Sequence, residues 1–464
     1  MKTNNSKTKT KAFLGAAFVL LIALLFTGCP NSAGAEKPAP PAPPKHAVTF
    51  SVEGTPPNGT LKAILGTSEI TSGDKVEEGK WVIFTAKADA GYRVKEWKVD
   101  GNVIKGHKSN TYPHKVTKPC AITVSFEPKK ALLTLAAGKN TVKVKAKTAD
   151  GKPITVEGCT VTELTSDVET TLTVTNPERK LALIGDIIEL NCSGEETPGG
   201  NRPLIALDAS GLTALQKLDC AKNQLTALNV QGLTALQELY CRTNQIPELN
   251  VQGLTKLQNL ECYSNKLTSL NVQGCTALQK LDCTGNQLTA LNVQGLNALQ
   301  ELYCRQNKLT ALNVQGCTAL QRLDCIGNQL STLNVQGLTA LQTLKCGGNK
   351  LTTLNVQGCT ALQHLYCENN QLATLNVQGC TSLKTLLCYK NKLNADAFTK
   401  LFNDLPTREV SDKAKALLYA DQTASEENCK NFSTPESLKK AFENAKNVKH
   451  WKLRKMKGYI EEDI

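Results

Sequence analysis

Catalytic motifs are the first absence. The chain has no GxSxG elbow, HExxH helix, phosphate-binding loop or dinucleotide fingerprint. Its five histidines, His46, His107, His114, His364 and His450, are scattered, with no nucleophile or carboxylate set to pair with them. Neither an enzyme nor a bound cofactor is expected. Cys-x-x-Cys pairs are missing too, which argues against a metal centre. The formal net charge is +13, but the basic residues form no block, so nucleic acid is not an expected partner. Aromatics are few, at 5% of 464 residues. The 18 cysteines, about 4% of the chain, fall short of the roughly 8–10% that marks a small disulfide scaffold. A chain this long also buries a core without such staples. Charged residues at 20% and abundant Leu and Val exclude wholesale disorder.

What is present begins with an address. Lys2, Lys7, Lys9 and Lys11 precede an uncharged run from Ala12 to Phe26 that ends in Thr27-Gly28-Cys29. This is the layout of a secretory signal, and the run is shorter than the roughly 20 residues of a spanning helix. Gly28-Cys29 resembles a bacterial lipobox, with Phe26 standing where leucine is usual. The resemblance implies cleavage after residue 28 and acylation of Cys29, leaving a formal net charge of +9. A plain secretory signal and a retained anchor are the alternatives. Residues 29–45 then include five prolines between Lys37 and Pro44, a hydrated spacer of about 3.1 Å per residue.

Residues 46–128 alternate apolar and polar, as in His46 to Val52 and Ala121 to Phe126, with Asn58-Gly59 and Asp100-Gly101 as turns. They predict a small β domain. The Phe84–Gly101 stretch FTAKADAGYRVKEWKVDG, with ITVSFEP after it, resembles bacterial surface-repeat modules of β-grasp type. Trp81, Tyr92 and Trp97 are expected in its core, a sugar-binding platform being the alternative. Residues 129–210 have strand-like stretches and read as a linker and N-terminal cap.

Residues 211–394 carry a ruler. Cysteines stand at 220, 241, 262, 283, 304, 325, 346, 367 and 388, each 21 apart, and an asparagine follows each by three. The unit L-x-x-L-x-C-x-x-N-x-L, with a Leu-Asn-Val-Gln-Gly return segment, is a leucine-rich repeat. Period two sends Leu218 and Cys220 to one face and Lys217, Asp219 and Ala221 to the other. Nine strands stacked at about 4.8 Å build a parallel sheet roughly 40 Å long. In this family the asparagines satisfy buried backbone groups of neighbouring coils. The expected fold is therefore mainly β: a leucine-rich-repeat solenoid, horseshoe-shaped with the parallel sheet on its concave face, a small N-terminal β domain, and an α-containing C-terminal cap over 395–464. Amphipathic helices are predicted from Asp396 to Leu405 and from Pro435 to Ala445.

Cys275, Cys317, Cys359 and Cys380 occupy a column held elsewhere by Leu233, Leu254 or Leu296. That interchange makes buried thiols the leading reading, with disulfides or a metal as alternatives. Cys120, Cys159, Cys192 and Cys429 have no assignment. The columns beside the ladder vary between copies while the framework does not. A rigid face free of fold constraints is where a partner would be read, and Tyr and Arg are common interface anchors. The candidate contacts are Tyr240, Arg242, Glu261, Tyr263, Tyr303, Arg305, Asp324, Lys345, Tyr366 and Tyr389. The alternative is that whole repeats were duplicated and these side chains are simply solvated.

The period and return segment resemble the treponemal type of leucine-rich repeat, found in BspA-like surface lipoproteins. Leu207-Asp208-Ala209-Ser210 resembles the same segment in an irregular first repeat, and the sequences from Ala395 and from Ala445 resemble the C-terminal cap of those proteins. The resemblance implies a lipid-anchored adhesin at the outer membrane or cell surface, with a protein ligand on host cells, in extracellular matrix or on neighbouring bacteria. A periplasm-facing structural lipoprotein and carbohydrate binding through residues 46–128 are the competing expectations.

Overall fold

A computed structural model describes residues 41–89, 91–196, 199–421 and 428–464. The leader and Cys29 lie outside the described residues.

The N-terminal module is two packed sheets. One has the strand order Lys75–Glu77, Lys45–Glu53, Cys120–Pro128, Tyr92–Val99 and Asn102–Val103; the other runs Ser68–Ile70, Gly59–Leu65, Trp81–Ala88 and Thr111–Lys115. Their inner faces share one core around Phe84, Trp97 and Ile122. Strand alternation decides which aromatics enter it. Trp97 is fully buried, and its indole N–H donates to Ser109 O at 2.9 Å. Trp81 corrects the expectation: Val82, Phe84 and Ala86 point inward, so Trp81 points outward and is 57% exposed. Tyr92 is half-buried against the core. Among the described residues no helix crosses the module, so the second sheet covers the first in place of the helix of a β-grasp.

Residues 129–210 form the beginning of the solenoid. Lys130–Leu135 lies between Lys180–Ile184 and Leu204–Asp208, and Thr141–Thr148 between Glu169–Thr173 and Ile187–Asn191. Each group hands a strand to the repeats. Ile187–Asn191 pairs in parallel with Lys217–Asp219, placing Leu190 opposite Leu218, and Leu204–Asp208 pairs with Ala227–Asn229, placing Leu207 opposite Leu228. The Leu207–Ser210 segment thus takes the return-segment position. Asp208 Oδ1 accepts from Ser210 N as Asn229 Oδ1 accepts from Gln231 N.

The nine short strands from Lys217–Asp219 to Thr385–Leu387 stack in parallel and in register. Their leucines and ladder cysteines are essentially inaccessible. Gly232 and its equivalents turn the chain back at φ near 80°, a conformation that penalises a Cβ. Past the last repeat the sheet continues. Lys415–Ala420 pairs in parallel with Thr385–Leu387, Lys452–Lys457 adds next to it, and Ile460–Asp463 closes the edge antiparallel, for 15 strands in all. Helices α1 (Ala395–Asp404) and α2 (Glu436–Asn447) are the crossovers between these strands, close to the predicted positions. Asn394 caps α1 by accepting from Ala397 N at 2.9 Å. Phe398, Phe402, Phe432 and Phe442 gather here with ring centroids 5.1–5.7 Å apart. A coil of 21 residues with a leucine-sized interior has no such room, and the helix layer supplies it.

Candidate protein-binding face

The ladder positions this face. Asn286 is 8% exposed and bridges neighbouring coils: its Oδ1 accepts from Leu267 N at 3.0 Å, and its Nδ2 donates to Cys262 O and Cys283 O at 3.1 and 3.0 Å. The other repeat asparagines do the same, so each strand is bound to the coil before it and its outward side chains are held at fixed spacing. The ladder outruns the repeats at both ends. Cys192, unassigned from the sequence, is 1% exposed, and its carbonyl accepts from Asn223 Nδ2 at 3.0 Å. Asn428 ends the ladder, accepting from Leu393 N and donating to Cys388 O. Every described cysteine is a free thiol. Burial pushes the Cys241 thiol up to about 12 and that of Cys275 to about 11.

On the opposite side of each strand the expected contacts fall into neighbouring groups. Tyr240 donates its hydroxyl hydrogen to Glu238 at 2.9 Å and accepts from Asn259 Nδ2 at 3.1 Å. Lys217 Nζ and the Arg242 guanidinium lie 5.5 and 5.6 Å from its ring centroid. Arg242 and Lys280 both pair with Glu261, at 3.5 and 2.8 Å, and Lys217 pairs with Glu238 at 2.8 Å. Burial, then the Glu238 hydrogen bond, raises the Tyr240 phenol above its usual range. Tyr263 is half-buried alongside. Three rungs on, Tyr303 donates to Glu301, which pairs with Arg322, while Arg305 is exposed. Further along, Lys345 Nζ sits 5.4 Å from the Tyr366 ring, with Tyr389 half-buried on a later rung.

Asp324 departs from expectation. It is only 6% exposed, and its Oδ1 accepts from Ile326 N at 3.2 Å, as Asp219 and Asp282 accept from Ala221 N and Thr284 N. The residue is on the outward side of its strand, between inward Leu323 and Cys325, and its carboxylate caps the turn after the strand. Ala221 and Gly347 are buried as well. A Cβ on Gly347 would meet Glu368 Oε1 at 2.5 Å, so the glutamate fills the space above this glycine. Burial raises the Glu368 carboxyl and lowers His364, the latter helped by Lys384 and Lys345.

The column at Lys217 was not singled out from the sequence. Glu238, Asn259, Lys280, Glu301, Arg322 and His364 share the face and hold the expected anchors in place. Period two already puts them there, and they vary between copies as much as the columns that were chosen. Among the described residues no group of three or more His, Cys, Asp or Glu side chains converges as a metal site.

A family model for the divergent InlB B-repeat domain matches residues 60–130. That segment covers most of the N-terminal module, including the motif from Phe84 to Gly101. Among solved structures, the functional domain of InlJ from Listeria monocytogenes, described as including a cysteine ladder, is 33% identical over 47% of this chain and 49% of its own, with a TM-score of 0.41. A leucine-rich-repeat protein of Leptospira interrogans is 26% identical over 43% of this chain and 61% of its own, at a TM-score of 0.36. YopM from Yersinia enterocolitica is 25% identical over 44% and 42%, at 0.38. This chain covers less than two thirds of each. No curated protein matches it. The chain thus joins a B-repeat-like module to a run of leucine-rich repeats.

Proposed function

We propose that this is a lipid-anchored cell-surface scaffold that binds a protein ligand on host tissue or on other bacteria through the strand face of its solenoid. The carrying observation is the network around Tyr240, where aromatic and charged side chains are held by one another on a rigid sheet. Side chains fixed before binding lose little further entropy when a partner arrives. Tyr and Arg also combine apolar area with directional hydrogen bonding. The lipobox-like Gly28-Cys29 and the proline-rich spacer support display at a membrane.

The test is attachment of cells carrying the Tyr240→Ala, Tyr303→Ala and Tyr366→Ala triple variant. All three rings are outside the core, so the variant should fold. Attachment should fall at least about tenfold. Unchanged attachment at equal surface display would move the binding site off the strand face.

A further inference from the structure

Trp81 lies on a face that nothing among the described residues covers. In its sheet, directly opposite residues share a side. Ile83 is flanked by Ile64 on one neighbouring strand and by Pro113 on the other, and Trp81 stands opposite Lys115. Trp81, Ile83 and Ile64 are 57, 47 and 37% exposed. Lys62, Lys87 and Lys115 share this face with a single acid, Glu69, which pairs with Lys62 at 3.1 Å. The result is an apolar strip bordered by excess positive charge.

The topology says where this face sits relative to the tether. Lys45–Glu53 and Cys120–Pro128 are parallel, so the chain enters the module at one end and leaves it at the other. Nine residues of strand separate the two ends by about 30 Å. Trp81 is at the entry end, where Glu78 N donates to Pro44 O at 2.8 Å and Val116 N donates to Lys80 O at 2.9 Å. The solenoid is joined at the exit end. Cys29 precedes Pro44 by 15 residues, a reach of at most about 50 Å. An acyl group on Cys29 would therefore keep the bilayer within range of this face.

We infer that the face of Trp81, Ile83 and Ile64 docks on an anionic bilayer surface, with the indole at headgroup depth and the three lysines against lipid phosphates. Tryptophan's amphipathic ring suits that depth, and lysines near an anionic leaflet add electrostatic attraction. The inference rests on the lipid-anchor reading only for bringing the membrane close. The contact itself belongs to the module.

The test uses the mature chain without leader and with Cys29→Ser, so that no acyl chain contributes. Trp97 and Trp451 are 0 and 1% exposed, so changes in tryptophan emission report Trp81. Phosphatidylglycerol vesicles should shift the emission to the blue, and brominated acyl chains should quench it; phosphatidylcholine vesicles should do neither. Co-sedimentation should weaken at least tenfold in Trp81→Ala/Ile83→Ser, and roughly fivefold for each lysine replaced in Lys62→Gln/Lys115→Gln. Absence of phosphatidylglycerol binding, or binding equal in all variants, overturns the inference. So does a Trp81 response confined to glycans or to a protein partner. Palmitate labelling of the full chain in cells, with Cys29→Ser as control, tests the anchor separately. Vesicle binding without labelling keeps the docking face and removes the anchor; labelling without vesicle binding does the reverse.

Discussion

The cysteine thiols show how a single residue type reports its surroundings. Cys241 and Cys275 are inaccessible, and burial lifts their thiols to about 12 and about 11. In the unfolded chain a thiol titrates near 8.5. As pH rises the unfolded state therefore gives up thiol protons first. The stability held by the neutral buried thiols is whole below about pH 8.5 and is lost progressively toward pH 11–12. Urea midpoints should stay level from pH 6 to 8 and fall above pH 9. Replacing Cys275, Cys317, Cys359 and Cys380 by the leucine found in other copies should make that fall shallower. A fall of equal steepness in the variant would show that other groups govern it. Asp324 teaches the converse lesson. Its column carries tyrosine, lysine and glutamate elsewhere, so sequence variation marked it as a contact, yet its carboxylate is used by its own turn.

At the scale of the element, a three-residue strand has too few hydrogen bonds to be stable alone. Each coil of the solenoid exists because its neighbours complete it. The ladder asparagines are the couplings. Asn286→Ala would leave Leu267 N, Cys262 O and Cys283 O without these partners in the interior, where an unmet group costs about 1–3 kcal/mol. The expected loss is about 3 kcal/mol by denaturant unfolding. Asn292→Ala, which removes only the exposed bond to Gln294 N, should cost under about 1 kcal/mol. Equal costs would deny the inner ladder its role. The C-terminal cap solves the terminal problem differently. Longer strand–helix units replace the 21-residue coil, and their helices shelter the phenylalanine cluster that covers the last rung.

For the whole molecule, the connection between module and solenoid matters most. Only Lys129 separates the Cys120–Pro128 strand from Lys130–Leu135. Lys129 pairs with Asp186, Gly91 N donates to the same carboxylate, and Arg93 donates to Ser210 O at 2.8 Å. These partly exposed polar contacts add little stability individually, but they fix an angle. Removing them with Arg93→Ala/Asp186→Ala should broaden the distance distribution in small-angle X-ray scattering while leaving the thermal midpoint of the solenoid within a few degrees. An unchanged distribution would mean that the one-residue joint alone sets the geometry.

The sequence by itself determined the parts that repeat. A 21-residue period, alternation within each strand, the asparagine three places after each cysteine and the amphipathic helices near 396–405 and 435–445 are all local patterns, and the structure follows them. It also showed which columns point outward, because period two is a property of any strand. Only the tertiary structure decided what happens where copies stop or differ. Cys192 and Asn428 join the ladder across irregular spacings. Lys415–Ala420 and Lys452–Lys457 extend the sheet after crossovers of unequal length. Asp324 is buried, whereas Asp219 and Asp282, which cap the same turn, stay half-buried. Each outcome depends on contacts between residues far apart in the chain, and these leave no periodic mark in the sequence.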